Sequence, residues 1–398
     1  MKKKYLIIFL SLIIVYLLVN SVINTGNYAN FKKKFPEDLK TKIKKYIFPY
    51  KYIEQKDDII KMQNDFNSKI DEINTSLVLK SSFKFTKKNK EELNELRKLI
   101  KKDFILDESQ IKLEKFENSK FLKRYKINNK ISDNNIILYK VNYYSIAHYG
   151  MMNFSSDTCE SKKLLIYNQG HDGGAYKLNY FKEITDYLFS NCYDILYLNM
   201  TGRSFNLMKK KELNFPNIKS GVDPRSHEIY SDFFDQEFSN KKPLSLMLSG
   251  NYYLIKKILN ENNYTEVIMI GISGGGWYST VLPSIITEIN KSISFAGTIP
   301  FVYRVNKKNL GDWEYYESKI FNYLNYIDLY TLNTLDENLE INRKHFQVYN
   351  NNDPCCFDGK FVNHFKKSFE TKNFYVLSSE NEKHSIQKEE FIEILNNN

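Results

Sequence analysis

Between Glu266 and Thr280 the chain reads EVIMIGISGGGWYST. A short apolar strand, Val267 to Ile270, runs into Gly271-Ile272-Ser273-Gly274-Gly275 and then into a helix-like run. Few local patterns restrict a fold as much as this one. A G-x-S-x-G turn between a strand and a helix holds a serine hydroxyl clear of a sheet, where it can attack a carbonyl. The serine backbone in such a turn is strained, and side chains at the flanking positions would collide with the neighbouring strand and helix, so glycines are required there. Taken alone, the pattern also fits a Gly-rich turn after a buried strand or a phosphate-binding loop.

Serine is a weak nucleophile without a base to take its proton and a third group to orient that base. Downstream, HFQVYNNNDPCC reads as a strand, Phe346 to Tyr349, ending in a polar turn with Asp353 and Pro354. Proline after the acid stops the strand. NFYVLSSENEKHS reads as another strand, Phe374 to Leu377, and a loop carrying His384. Of the histidines after Ser273, His345 begins a strand, the wrong end for a parallel sheet whose site lies beyond the carboxyl ends. His364 sits in the amphipathic run FVNHFKKSF, where packing or surface roles fit better. The expected base is therefore His384. The expected acid is Asp353, with Asp358, beside Gly359 in a turn, as the second candidate.

A tetrahedral intermediate needs backbone N–H donors aimed at its oxyanion. One comes from the residue after the nucleophile, Gly274. The other comes from the loop after an earlier strand. That loop is expected in KKLLIYNQGHDGGAY, where the strand Leu164–Tyr167 precedes Gly170-His171-Asp172-Gly173-Gly174. His171 and Asp172 line the expected pocket. No second histidine stands at metal-ligand spacing from His171, and H-E-x-x-H is absent, so neither a metal nor a cofactor is expected. These residues together, GHDGG at 170–174, GISGG at 271–275, Asp353 and His384, resemble the α/β-hydrolase superfamily, on its esterase and dienelactone-hydrolase side. The resemblance covers about residues 135–398. It implies a mostly parallel sheet flanked by helices and a serine hydrolase acting most often on esters. The chain departs from the pattern in having HDGG in place of HGGG and an Asn-rich turn around the acid.

Strand and helix signals alternate from about residue 136, with further strands at Ile136–Tyr144, Ile195–Leu198 and Ile293–Ala296, and helical patterns at Tyr180–Phe189, Trp277–Ile289 and Ile386–Leu395. Such βαβ alternation predicts an α/β sheet. The interval Thr201–Thr265 exceeds one crossover and suggests a lid or substrate-shaping insertion; it includes a helical pattern at Tyr252–Leu259 and carries Arg203, His227 and Glu228, for which surface roles are favoured. Phe301–Leu339 forms a second, aromatic-rich insertion.

The first residues, MKKK followed by Tyr5–Val19, read as a signal anchor or signal peptide over residues 1–25. The apolar character continues weakly to Ile23, and the nineteen residues Tyr5–Ile23, if helical, rise roughly 28 Å, close to the roughly 30 Å of a hydrocarbon core. No small-x-small cleavage site stands out, which favours a single membrane anchor over a secreted, cleaved form. Lysines on both sides oppose one another in orientation, and export of the catalytic part to a periplasmic or extracellular side is the expectation. Residues 1–135 carry 30 Lys and Arg against 17 Asp and Glu, whereas the remainder carries 28 against 30, so the formal +11 belongs to the N-terminal third. Residues 26–135 are expected to be a basic, mainly helical region beside the membrane, and 136–398 the catalytic domain. No nucleic-acid-binding module is recognisable, and none is expected to bind. The cysteines, Cys159, Cys192, Cys355 and Cys356, permit a disulfide after export; one example pairs Cys159 or Cys192 with a member of the adjacent pair.

The expected activity is cleavage of a carboxylic ester, small or glycan-linked, by Ser273, Asp353 and His384. The same residues would serve a peptidase, an amidase or an acyltransferase, and an inactive binding protein of the same fold is the remaining alternative.

Overall fold

The computed structural model describes residues 88–116, 136–143, 146–155, 158–171, 182–202, 206, 243–300, 303, 313–315, 323–357, 359–369 and 372–396. All belong to one compact unit, Met62–Ile218 with Asp223–Asn398. The segment 1–25 lies outside them, as do Asp172, Gly173, Gly174, Arg203, His227, Glu228 and Asp358. Among the described residues no helix is long and apolar enough to cross a membrane.

In chain order the elements are α1 (Lys90–Phe104), β1 (Lys112–Phe116), β2 (Ile136–Tyr143), β3 (Ile146–Asn153), β4 (Lys163–Gln169), α2 (Lys182–Ser190), β5 (Tyr193–Asn199), α3 (Pro243–Glu261), β6 (Glu266–Ile272), α4 (Gly274–Val281), β7 (Lys291–Phe295), α5 (Tyr326–Leu332), β8 (Lys344–Asn350), α6 (Val362–Phe369), β9 (Phe374–Ser379) and α7 (Lys388–Asn396). The strands form one nine-stranded sheet in the order β1-β2-β3-β5-β4-β6-β7-β8-β9. Pairing is antiparallel from β1 through β5 and parallel from β5 to β9. This is the α/β sheet that the alternating pattern predicts.

Its central strands are buried on both faces: β4 and β6 carry the continuous apolar runs Leu164–Tyr167 and Val267–Ile270, whereas β7 and β8 alternate apolar residues with buried Ser292, Ser294, His345 and Gln347. Side chains alternate between faces along a strand. Leu165 and Tyr167 of β4, Ile268 and Ile270 of β6, Ile293 and Phe295 of β7, and Phe346 and Val348 of β8 share one core with Ile184 and Leu188 of α2 and Phe391, Ile394 and Leu395 of α7. Helix α4 packs on β4, β6 and β7, and α3 packs on β2 and β3. The chain order decides where a ligand can sit. From β4 the chain crosses to β5 on one side, and from β5 it passes to β6 on the other side of β4. The crevice beyond the carboxyl ends of β4 and β6 is therefore a topological switch point, where open α/β sheets bind ligands.

The sheet unit begins earlier than residue 136, which corrects the expected boundary. Helix α1 starts at a capping box, with Asn89 Oδ1 accepting from Glu92 N at 2.9 Å and Glu92 Oε2 accepting from Asn89 N at 2.7 Å. It buries Leu93, Leu96, Ile100 and Phe104, packing on α3 and α5. Arg97 donates to the carbonyls of Asp336 at 2.7 Å and Leu335 at 3.0 Å. Strand β1 then pairs with β2 from Lys112↔Asn142 to Phe116↔Leu138. Lysine-rich composition conceals this attachment, because the apolar stripe occupies only one face of α1. Strand β3 and the first half of α3 also lie outside the strand and helix spans read from the sequence, and α4 begins at Gly274 rather than Trp277.

A second correction concerns the cysteines. Cys159 is bonded to Cys192 and Cys355 to Cys356. Cys159 and Cys192 precede neighbouring parallel strands β4 and β5, whereas Cys355 and Cys356 follow β8. The two sets therefore sit at opposite ends of the sheet, and no bridge between them can form.

Two histidines are core residues. His148 is enclosed by Asn251, Asn206 and Thr201. His345 meets Ser292 Oγ at 2.6 Å and the Gln347 amide at 2.8 Å, and its ring stacks on Tyr330 and Phe374. Burial pushes His148 down to about 4, against the hydrogen bond to Asn251 Oδ1. Burial, reinforced by the charge of Arg343, pushes His345 down to about 3. An unfolded imidazole takes a proton near pH 6.5, so below that pH the unfolded chain binds protons that the folded chain refuses. Stability is expected to fall as pH drops from about 6.5 towards 4, by up to about 1.4 kcal/mol per pH unit for each histidine. Urea titrations across this window check it, and His148→Asn is expected to flatten the slope.

Candidate active site

Ser273 joins β6 to α4 with φ 57° and ψ −128°, a left-handed conformation disfavoured for any residue with a side chain. Ser273 N donates to Phe295 O of β7 at 2.9 Å, and its carbonyl accepts from Trp277 N at 3.1 Å as the first bond of α4. The turn is possible because backbones approach closely around it. A Cβ on Gly275 would enter the Asn168 carbonyl of β4. A Cβ on Gly170 would lie 2.7 Å from Ser273 Cβ and 2.6 Å from Ile272 O. Gly170, at the carboxyl end of β4, therefore stands against the serine, as the switch-point geometry requires. Gly275→Ala is expected to destabilise the protein by about 3 kcal/mol, because its obstacle is backbone that cannot rotate away. Urea unfolding monitored by circular dichroism checks this.

Gly274 faces Met200 and His171, and a Cβ there would lie 2.8 Å from His171 Cε1. His171 Nε2 is 3.9 Å from Glu314 Oε1, whose side chain is fully buried. Of the loop expected to complete the oxyanion donors, Gly170 and His171 are thus placed beside Ser273 and Gly274, while Asp172 and Gly173 fall outside the described residues.

Asp353 and His384 arrive from the turns after β8 and β9. His384 Nδ1 meets Asp353 Oδ2 at 2.7 Å. The other carboxylate oxygen accepts from Cys355 N at 2.8 Å and Cys356 N at 3.2 Å. The Asp353 side chain is fully buried, and His384 is 18 % exposed. Burial by itself would raise the Asp353 pKa. The hydrogen bond and charge of His384, with the two cysteine N–H groups, outweigh it and hold the carboxyl below its ordinary range. The carboxylate is therefore ionised at neutral pH and favours one imidazole orientation. His384 Nε2 is buried without a hydrogen-bond partner, and it does not bond Ser273 in this structure.

Asparagines position the histidine loop. Asn350, the last residue of β8, donates to Lys383 O at 2.7 Å and Ser385 O at 3.2 Å, bracketing His384. Asn381 donates to Ser385 O at 2.9 Å and accepts from Lys383 N at 3.0 Å. These residues, Glu314 and the Cys355 and Cys356 amides were not read from the sequence as parts of the site. The Asn-rich composition of the turn was the available signal, since Asn side chains bond nearby backbone in place of regular structure. The other histidine candidates lie elsewhere. His345 is in the core, and His364 Nδ1 meets Tyr303 Oη at 2.7 Å.

A serine on a left-handed turn, an acid–imidazole pair beyond the same sheet edge and glycine backbone beside the serine are the parts that acyl transfer needs. Among the described residues, Cys355, Cys356 and His384 are the one group with metal-ligating side chains close together.

No family model and no curated protein matches the chain. Among solved structures, it is similar to acetyl xylan esterase 1 from Thermoanaerobacterium sp. JW/SL YS485, at 13% identity and TM-score 0.48, covering 77% of this chain and 92% of that one. It is also similar to an acetyl xylan esterase from Paenibacillus sp. R4, at 10% identity and TM-score 0.47, covering 78% and 94%. A third similarity is to a dienelactone hydrolase described as putative from Klebsiella pneumoniae subsp. pneumoniae MGH 78578, at 11% identity and TM-score 0.34, covering 62% and 84%.

Proposed function

We propose that this protein is a carboxylic ester hydrolase working through Ser273, His384 and Asp353. The observation that carries the reading is the 2.7 Å pair of His384 Nδ1 with buried Asp353, at the sheet edge where Ser273 is held with φ 57°. Asp353 keeps the proton on Nδ1 and leaves Nε2 as the basic nitrogen. Substrate entry brings Ser273 Oγ and Nε2 into contact, since such bonds tighten in the Michaelis complex. Nε2 takes the hydroxyl proton as Oγ bonds to the acyl carbon. The oxyanion is held by the N–H of Gly274 and by N–H groups of the loop that starts at Gly170. The intermediate collapses to the acyl-enzyme, and the leaving alcohol takes the proton from Nε2. Water then attacks, gives its proton to Nε2 and releases the acid, and Ser273 recovers its hydrogen.

Export follows in the same reading. Cys159–Cys192 fits an oxidising compartment, and residues 1–25 supply the anchor or signal. The deciding experiment treats the full chain with a fluorophosphonate and locates the adduct by mass spectrometry. An adduct on Ser273 that disappears in His384→Ala supports an activated serine, and unlabelled folded protein overturns it. Acetylated sugars, simple aryl esters, peptides and an added sugar acceptor, assayed side by side, then separate ester hydrolysis from amide cleavage and acyl transfer.

A further inference from the structure

The reaction proposed above uses the backbone amides of Cys355 and Cys356 but not their sulfurs. Those sulfurs and one ring nitrogen of His384 lie within 4.8 Å of one another. Cys355 is exposed and Cys356 partly so, so an ion reaches the sulfurs from solvent, while His384 Nε2 is buried. Two thiolates and an imidazole are the donor set of a thiophilic tetrahedral cation, with a fourth position left for water. In the disulfide the sulfurs are bonded to each other. A tetrahedral ion with bonds of about 2.3 Å holds two sulfurs about 3.8 Å apart, a separation open only to the reduced pair.

We propose that reduction of Cys355–Cys356 creates an inhibitory site for a thiophilic divalent cation, held by Cys355 Sγ, Cys356 Sγ and a ring nitrogen of His384. The inhibition rests on the reading of His384 as the base. A phosphine reductant breaks the S–S bond; water supplies oxygen to phosphorus and one proton to each sulfur. The cation then displaces both thiol protons to solvent. Either ring nitrogen serves to stop the reaction. Metal on Nε2 removes the lone pair that would accept the Ser273 proton, and metal on Nδ1 displaces the Asp353 hydrogen bond. Cys159–Cys192, at the other end of the sheet, is the internal control for sulfur chemistry remote from the site.

The test uses cadmium chloride with the full chain, oxidised or reduced with a phosphine and then desalted. Binding is read by equilibrium dialysis and by thiolate-to-cadmium ultraviolet absorption. Block of the site is read by fluorophosphonate labelling. The reduced chain is expected to take up one cadmium ion that Cys355→Ser/Cys356→Ser does not, with labelling slowed at least tenfold and restored by a chelator. The oxidised chain is expected to label at the same rate with and without cadmium. His384→Ala is expected to weaken the binding about tenfold or more. Equal uptake by the double variant, or His384→Ala binding as tightly as the unsubstituted chain, overturns the site. Tight, His384-dependent uptake in a chain that never labels at Ser273 keeps the metal site and instead refutes the hydrolase reading.

Discussion

Ser273→Ala is expected to abolish fluorophosphonate labelling and to lower kcat for ester hydrolysis by about 10⁴-fold or more. The size follows from the chemistry. Without Oγ no acyl-enzyme forms, and what remains is water attacking a carbonyl held near the oxyanion donors. On the proposed mechanism the Gly274 and Gly170 backbone is untouched, so activity is expected to fall to a low plateau rather than to the uncatalysed rate. The fold is expected to survive. Ser273 contributes its strained backbone to the turn, and alanine keeps the Cβ, which already fits beside Gly170. Matching circular dichroism and urea midpoints for the two proteins, with labelling and kcat measured in parallel, check both halves. Retained activity on every ester tested would remove Ser273 from the reaction.

Asp353→Asn is expected to cost about as much, near 10⁴-fold in kcat, with little change in KM. An asparagine fills the same volume, and its oxygen can still accept from Cys355 N and Cys356 N. Its amide nitrogen, however, would face His384 Nδ1. Two N–H donors cannot share that contact, so the imidazole carries its proton on Nε2, the nitrogen that has to be basic. A merely structural role would show as unfolding without this selective loss of kcat. Asp353 also predicts an acid limb. Its folded pKa lies below the ordinary carboxylate value, so its contribution to stability is complete above about pH 4 and is lost as pH falls through the lower folded value. In Asp353→Asn that part of the pH dependence is expected to vanish, while the histidine-driven loss at higher pH stays.

Much of this site was legible because each part leaves a local mark. The turn at Ser273 requires glycine where Asn168 crowds Gly275, so the motif is written into one short stretch. Asp353 and His384 each follow an apolar strand, and chain order alone places them after Ser273. His345 begins a strand, the wrong end of a parallel sheet for a site beyond the carboxyl ends, and the structure supplies its role, a core imidazole between Ser292 and Gln347. Other features left no such mark. Asn350 and Asn381 hold the His384 loop by bonding backbone, and one polar asparagine reads like another until the carbonyls it meets are known. Glu314 is buried beside His171 only because a distant segment returns to the site.

The attachment of α1 and β1 to the sheet shows the same division. The amphipathic spacing of Leu93, Leu96, Ile100 and Phe104 marks a helix, but nothing local says which surface that face covers. The disulfides add a second case, since pairing depends on which end of a sheet each cysteine occupies. From the amino-acid sequence alone came the strand–turn–helix around Ser273, the apolar central strands and the order of serine, acid and histidine. Backbone conformation and burial of neighbouring residues dictate these, and both are local. Tertiary structure decided the crossing of β4 and β6 that sets Gly170 against Ser273, the meeting of His384 with Asp353, the separation of the two disulfides and the inclusion of α1. Each of these is a contact between segments far apart in the chain, selected by the burial and hydrogen bonding of the whole fold.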